Sequence, residues 1–200
     1  FPASNPRSAP WAITNPMSVE HSVLRSSLLP GMLAATARNQ ARQARGVALF
    51  ELGSIFVRDG AYLRERQQLG ILLWGEPAGS WHGERGRYDV FHLRGLLEAV
   101  IRTSPADCAL VALAGEAAPY LHPGLCAGIR GPEGIIGAWG EVHPNALRGH
   151  EKLAGPVFFA ELDLAPLFIP APHTSRISPI PRFPSATRDL ALLLDEGVPL

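Results

Sequence analysis

The chain has 200 residues, enough to bury one sizeable core, and its 18 basic residues are balanced by 18 acidic ones. That balance excludes an overall field drawing the chain to nucleic acid or a membrane, although a local basic face stays open to RNA. Two cysteines, Cys108 and Cys126, are too few for a disulfide framework and fit a reducing cytosol; no apolar run approaches the ~20 residues of a membrane span.

The opening Phe1-Pro2-Ala3-Ser4-Asn5-Pro6 has neither the charged nor the apolar region of a signal peptide, and no initiator methionine. The chain therefore reads as a piece of a longer protein. After an extended, Pro- and Ser-rich lead-in, Ser27 is placed to cap a helix running from Leu28 to about Gln43, with Pro30 in its first turn and Gly46 ending it. Val47 to Val57 predicts a strand largely buried on both faces, and Asp59-Gly60 a turn. Leu69 to Trp74 predicts a second strand, followed by a Gly-rich loop through Gly86. Asp89 caps a predicted helix from about Phe91 to Arg102, with Leu93, Leu96, Leu97 and Val100 on one face. Cys108 to Leu113 reads as a short strand. Gly124 to Arg130 and Ile135 to Val142 flank Gly131-Pro132-Glu133-Gly134 as an antiparallel hairpin. A short helix after Pro144 and a strand from Val157 to Leu162 follow. Antiparallel turns and few helices predict an α+β fold. The stretch from Pro166 to Pro184 has the proline-rich composition of a linker, and Arg188 to Leu194 reads as one more strand.

Glycines at 128, 131, 134, 137 and 140 suggest a phosphate cradle, but they are interleaved with Ile135, Ile136 and Trp139, which is strand chemistry. Cys108, His122, Cys126 and His143 lack the close ligand pairs of a zinc site. His122-Pro123 and His143-Pro144 stand at strand ends, where the imidazoles are expected to bond nearby carbonyls. No serine or cysteine sits in a recognisable nucleophile elbow. Arg38, Arg42 and Arg45, at i, i+4 and i+7, are expected to share one helix face. A solvated face is the default reading; contact with RNA or another subunit is the functional one.

The order Asn15-Pro16-Met17-Ser18-Val19-Glu20-His21-Ser22-Val23-Leu24-Arg25-Ser26-Ser27-Leu28-Leu29-Pro30-Gly31-Met32-Leu33, then a polar helix, then Leu49-Phe50-Glu51-Leu52-Gly53-Ser54-Ile55-Phe56, resembles the β subunit of bacterial phenylalanyl-tRNA synthetase. The similar region is the one that copies the class II synthetase catalytic fold without its chemistry. Phe91-His92-Leu93-Arg94-Gly95-Leu96-Leu97-Glu98, His122-Pro123-Gly124 and Gly140-Glu141-Val142-His143-Pro144 extend the resemblance, although the family usually has aspartate and lysine in place of His92 and Arg94. Arg182-Phe183-Pro184-Ser185-Ala186-Thr187-Arg188-Asp189-Leu190-Ala191 is similar to the opening of the family's anticodon-binding domain.

The resemblance implies a class II aminoacyl-tRNA synthetase-like antiparallel sheet flanked by helices over residues 1–168. A Pro-rich linker over 169–185 and the first strand of a truncated ferredoxin-like domain over 186–200 would follow. It marks Asn15, Pro16, Arg25, Pro30, Phe50, Glu51, Gly53, His122, Pro123, Gly124, Glu141, His143, Pro144, Arg188 and Asp189 as structural signature residues. It implies no catalytic, cofactor or metal residue in this segment, ATP and Mg belonging to the parent complex. Where catalytic relatives carry a nucleotide-binding arginine this chain has Val57, with Arg58 turned to the opposite face by strand alternation. An apolar side chain cannot neutralise a triphosphate. The implied role is a cytoplasmic, non-membrane scaffold that pairs with the α catalytic subunit in a heterotetramer and meets tRNA through the complete complex. The alternative is a stand-alone tRNA- or RNA-binding module using Arg38, Arg42 and Arg45.

Overall fold

The computed structural model describes residues 10–18, 22–77, 86–114, 117–150 and 153–169, together with 188, 189, 191 and 193. The expected Gly-rich loop and most of the Pro-rich linker and the last predicted strand fall outside the described residues. Two helices, α1 (Leu29–Ala41) and α2 (Val90–Thr103), accompany six strands: β1 (Gly46–Asp59), β2 (Tyr62–Gly75), β3 (Ala109–Ala112), β4 (Leu121–Gly131), β5 (Gly134–Val142) and β6 (Val157–Asp163). All strand pairs are antiparallel, in the order β1-β2-β6-β5-β4-β3. The α+β expectation therefore holds.

The connectivity follows from the turn chemistry. Asp59 and Tyr62 pair across the two-residue Gly60-Ala61 turn, and Gly131 and Gly134 across Pro132-Glu133, so the interleaved glycines do belong to a hairpin. Between these hairpins the chain crosses through α2 to the far edge, and β6 returns last to join β2 to β5. As the joining strand β6 is covered on both faces, which is why Val157-Phe158-Phe159-Ala160 is continuously apolar.

Period-two alternation then divides the core. Val47, Ile55, Val57, Leu72 and Phe159 face α1, which lays Leu28, Leu29, Met32 and Leu33 on them. Leu69, Ile71, Leu73, Phe158 and Leu162 face α2, which contributes Leu93 and Leu97. Burying each such side chain fully contributes roughly 1.5–3 kcal/mol, so these four α1 residues hold the helix far more firmly than its propensity does.

Three expectations need correction. β1 is an edge strand, not one buried on both faces: its α1 side is covered, while Phe50 and Leu52 on the other side are 74% and 60% exposed. α1 stops at Ala41, and the reversal is made by Gln43 at φ 68, not by Gly46, which opens β1. Ser27 is not the helix cap residue, a place Leu28 holds, although its Oγ still accepts from the N–H of Leu29 at 3.2 Å. The short helix expected after Pro144 is present, as a single 3-10 turn over Pro144–Leu147. Asp89, by contrast, caps α2 as expected, accepting from the N–H of His92 at 3.0 Å while His92 Nδ1 accepts from the N–H of Asp89.

Candidate partner-binding surface

The segment before α1 sets the edge of the sheet. Trp11 and Leu24, and Ile13 and Ser22, pair backbone to backbone, and the carbonyl of Arg25 then accepts from the N–H of Phe56 at 2.8 Å. The Arg25 guanidinium turns over the α1 side of β1. There its Nε donates to the carbonyl of Ser54 at 2.8 Å and its Nη1 to Glu51 Oε1 at 2.5 Å. A Cβ on Gly53 would stand 2.3 Å from Arg25 Nη2, so this cluster requires glycine at 53. Three of the signature residues, Arg25, Glu51 and Gly53, are thus one structural unit.

Because Ser54 and Phe56 direct their backbone groups outward to Arg25, so do Ala48, Phe50 and Leu52 on the same strand. These have no backbone partner among the described residues. The side chains of Ala48 and Phe50 form one wall of an apolar groove of about 410 Å³, completed by Leu69, Ile71, Leu96 and Val100. Leu96, predicted to be inward on α2, is in fact 44% exposed at this rim. An apolar face joined to an open strand edge is a surface that natural proteins cover.

On the opposite face, α1 is pinned from β6. Glu161, 1% exposed, accepts from the N–H of Leu28 at 2.6 Å through Oε1 and from Ser27 Oγ at 3.1 Å through Oε2. Sequence reasoning passed over Glu161, although its signal was available: one acidic residue at the end of an apolar, central-strand run.

The remaining predicted residues separate. Arg38, Arg42 and Arg45 are all exposed, but Arg45 lies beyond the end of α1 and Arg42 is its terminal cap. The three-residue stripe therefore breaks after Arg42, because Gln43 turns the backbone. His122 and His143 do come together, their rings stacked at 6.1 Å between centroids. Each Nδ1 accepts from a backbone N–H, that of Gly124 at 3.2 Å and of Asn145 at 3.1 Å. Both imidazoles thus cap turns as acceptors and do not donate to carbonyls as expected, since Pro123 and Pro144 bend the chain so that the next N–H points back. Cys126 Sγ contacts the Pro123 carbonyl, Cys108 immediately precedes β3, and among the described residues no three His, Cys, Asp or Glu groups converge for a metal. Burial raises the Cys108 thiol above its ordinary range. Asn15, Pro16, Pro30, Arg188 and Asp189 are exposed, and Glu141 is half-buried opposite Phe158. Val57 is buried facing α1, while Arg58 lies over the Trp11 ring at 4.7 Å.

The fold and this surface define an α+β module that fixes one helix and one apolar edge strand in place. The chain matches the family model described as the phenylalanyl tRNA synthetase beta chain CLM domain over residues 1–164. It is 34% identical over 189 residues to the phenylalanine–tRNA ligase beta subunit of Carboxydothermus hydrogenoformans, covering 94% of this chain and 23% of that protein. The corresponding subunit of Moorella thermoacetica is 36% identical over 200 residues, covering 97% and 24%, and that of Geobacillus kaustophilus 36% over 192 residues, covering 94% and 24%. The chain belongs to the phenylalanyl-tRNA synthetase beta chain CLM domain family. It spans about a quarter of the length of the curated relatives it matches.

Proposed function

We propose that this chain is the non-catalytic, class II synthetase-like module of a phenylalanine–tRNA ligase β subunit, and that it serves as the docking scaffold for the α catalytic subunit. The observation that carries the reading is the exposed apolar face of Phe50 and Leu52 on the edge strand β1, on the side away from α1, in a chain that belongs to the β-chain family. A surface apolar at its centre and polar at its rim is what a permanent subunit contact needs. Arg38 and Arg42, exposed at the C-terminal end of α1, and Arg45, exposed just before β1, are the charged groups offered to a subunit or RNA contact. The same reading assigns 1–168 to the scaffold, 169–185 to a linker and 186–200 to the start of a ferredoxin-like domain. ATP and Mg are assigned to the parent complex, tRNA contact to the full heterotetramer, and the whole to the cytoplasm. Buried Val57, where catalytic relatives hold a nucleotide-binding arginine, supports the absence of adenylate chemistry here.

The test is light scattering on a sizing column with the purified chain, alone and mixed with the α subunit of the same ligase. A stable mixed complex is expected, weakened by Phe50→Ser. A folded chain that does not associate overturns the scaffold reading. Salt-sensitive tRNA binding by the isolated chain, lost on neutralising Arg38 and Arg42, would instead select the RNA-binding module.

A further inference from the structure

Glu161 is a buried acid that the scaffold reading leaves without a task. It stands on β6, the strand that joins the two halves of the sheet, and pairs across to Gly70 of β2. Both residues face α1. A Cβ at Gly70 would lie 2.8 Å from Met32 Sδ and 3.2 Å from Leu28 Cδ1, so the helix rests directly on the bare backbone there. Beside that seat, Glu161 takes the N–H of Leu28 and the hydroxyl of Ser27, and Ser27 Oγ accepts in turn from the N–H of Leu29. The first N–H groups of a helix have no intrahelical acceptor, and Leu28 and Leu29, 0% and 4% exposed, are closed to water. Their acceptors come from a residue 133 positions away, or from a side chain that this residue holds.

Apolar packing fills volume but tolerates sliding and rotation, whereas a pair of hydrogen bonds to one carboxylate fixes a helix end in position and azimuth. We propose that Glu161 is the positioning residue that locks α1 to the centre of the sheet, and so holds in place the helix that backs the β1 edge offered to the catalytic subunit. The second half rests on the proposed docking role; the first does not.

The experiment compares Glu161→Leu, Glu161→Gln and Ser27→Ala in this chain. Amide hydrogen exchange is read at Leu33 to Thr36 of α1 and at Leu72 and Phe159 of the sheet, followed by association with the α subunit. Loss of hydrogen bonds to a charged group predicts roughly 10- to 100-fold faster α1 exchange in the leucine variant, with sheet amides far less affected. Glutamine keeps an acceptor and is expected to restore most of the protection; serine loss costs a few-fold. Association with the α subunit should weaken in the same order. Were Glu161 only filling volume, leucine would serve better than glutamine, and that order overturns the proposal. So does an α1 that exchanges at the unaltered rate in all variants, or one that loosens no more than the sheet. If the leucine variant fails to fold, the glutamine and Ser27→Ala variants decide alone: wild-type α1 exchange in both rejects the lock. Exchange is read without the partner, so a chain that fails to bind the α subunit rejects the docking role while leaving the lock to be judged by exchange.

Discussion

Replacing Gly53 with alanine puts a carbon 2.3 Å from Arg25 Nη2, and the guanidinium must leave either Glu51 or the Ser54 carbonyl. The ion pair is 44% and 33% exposed, so its share of the loss is at most about 1 kcal/mol. We expect Gly53→Ala to lower stability in urea by about that much and Arg25→Ala to add little to it, since the two act on one cluster. At Asp89 the backbone N–H of His92 is the main cause holding the carboxyl below the usual aspartate range, against a smaller upward push from burial. A depressed folded value means that the cap's contribution is complete above the ordinary aspartate range and is lost as pH falls through the depressed value. Asp89→Ala should therefore cost about 1 kcal/mol at neutral pH, and its melting temperature should converge with that of the unaltered chain as the solution is acidified below that range. Both clusters were only half legible in the sequence. Asp89 announces itself by standing before an apolar helical stripe, whereas nothing in the spacing of Arg25, Glu51 and Gly53 says that one needs the others' space.

Among the elements, β1 is the one whose sequence misleads. Leu49, Phe50, Leu52, Ile55, Phe56 and Val57 read as a two-sided buried strand, and the tertiary structure leaves one of those sides open because α2 reaches only Leu69, Ile71 and Leu73 of β2. An exposed apolar residue and a core one are the same to composition, so composition alone marks Phe50 and Leu52 as core. Leu52→Ser should change the stability of the isolated chain by no more than about 0.5 kcal/mol, as an exposed substitution does, yet weaken its association with the α subunit on a sizing column. A larger loss of stability would mean that the groove is already filled. α1 was legible over nearly its whole length, since alanine, leucine and arginine favour helix. Its stop was not, because the sequence offers Gly46 while the turn is made by Gln43 three residues earlier.

For the whole molecule, the proposed absence of nucleotide chemistry turns on Val57, only 9% exposed and packed with Ile55 on the α1 side of the sheet. Val57→Arg should create no ATP binding detectable by calorimetry, because one guanidinium forced into an apolar layer acquires no companions for a triphosphate. It should instead destabilise the chain by several kcal/mol, as burying an unpaired charge does. ATP binding by that variant would show that the remaining ligands of a nucleotide site are present after all.

The order of elements, the two hairpin turns, the cap of α2 and the family signature were set by local pattern: turn residues, periodicity and capping act over a few positions and can be read in line. The unbroken apolar run of β6 fits a strand covered on both faces, but its central place is given only by the tertiary structure. What only the tertiary structure decided are the long-range pairings: Arg25 with Glu51, His122 with His143, and Glu161 with the first turn of α1. It also decided that β1 lies at the edge. Such facts depend on which strand neighbours which, and a strand carries no local mark of its neighbour, because backbone hydrogen bonds are the same whichever partner makes them.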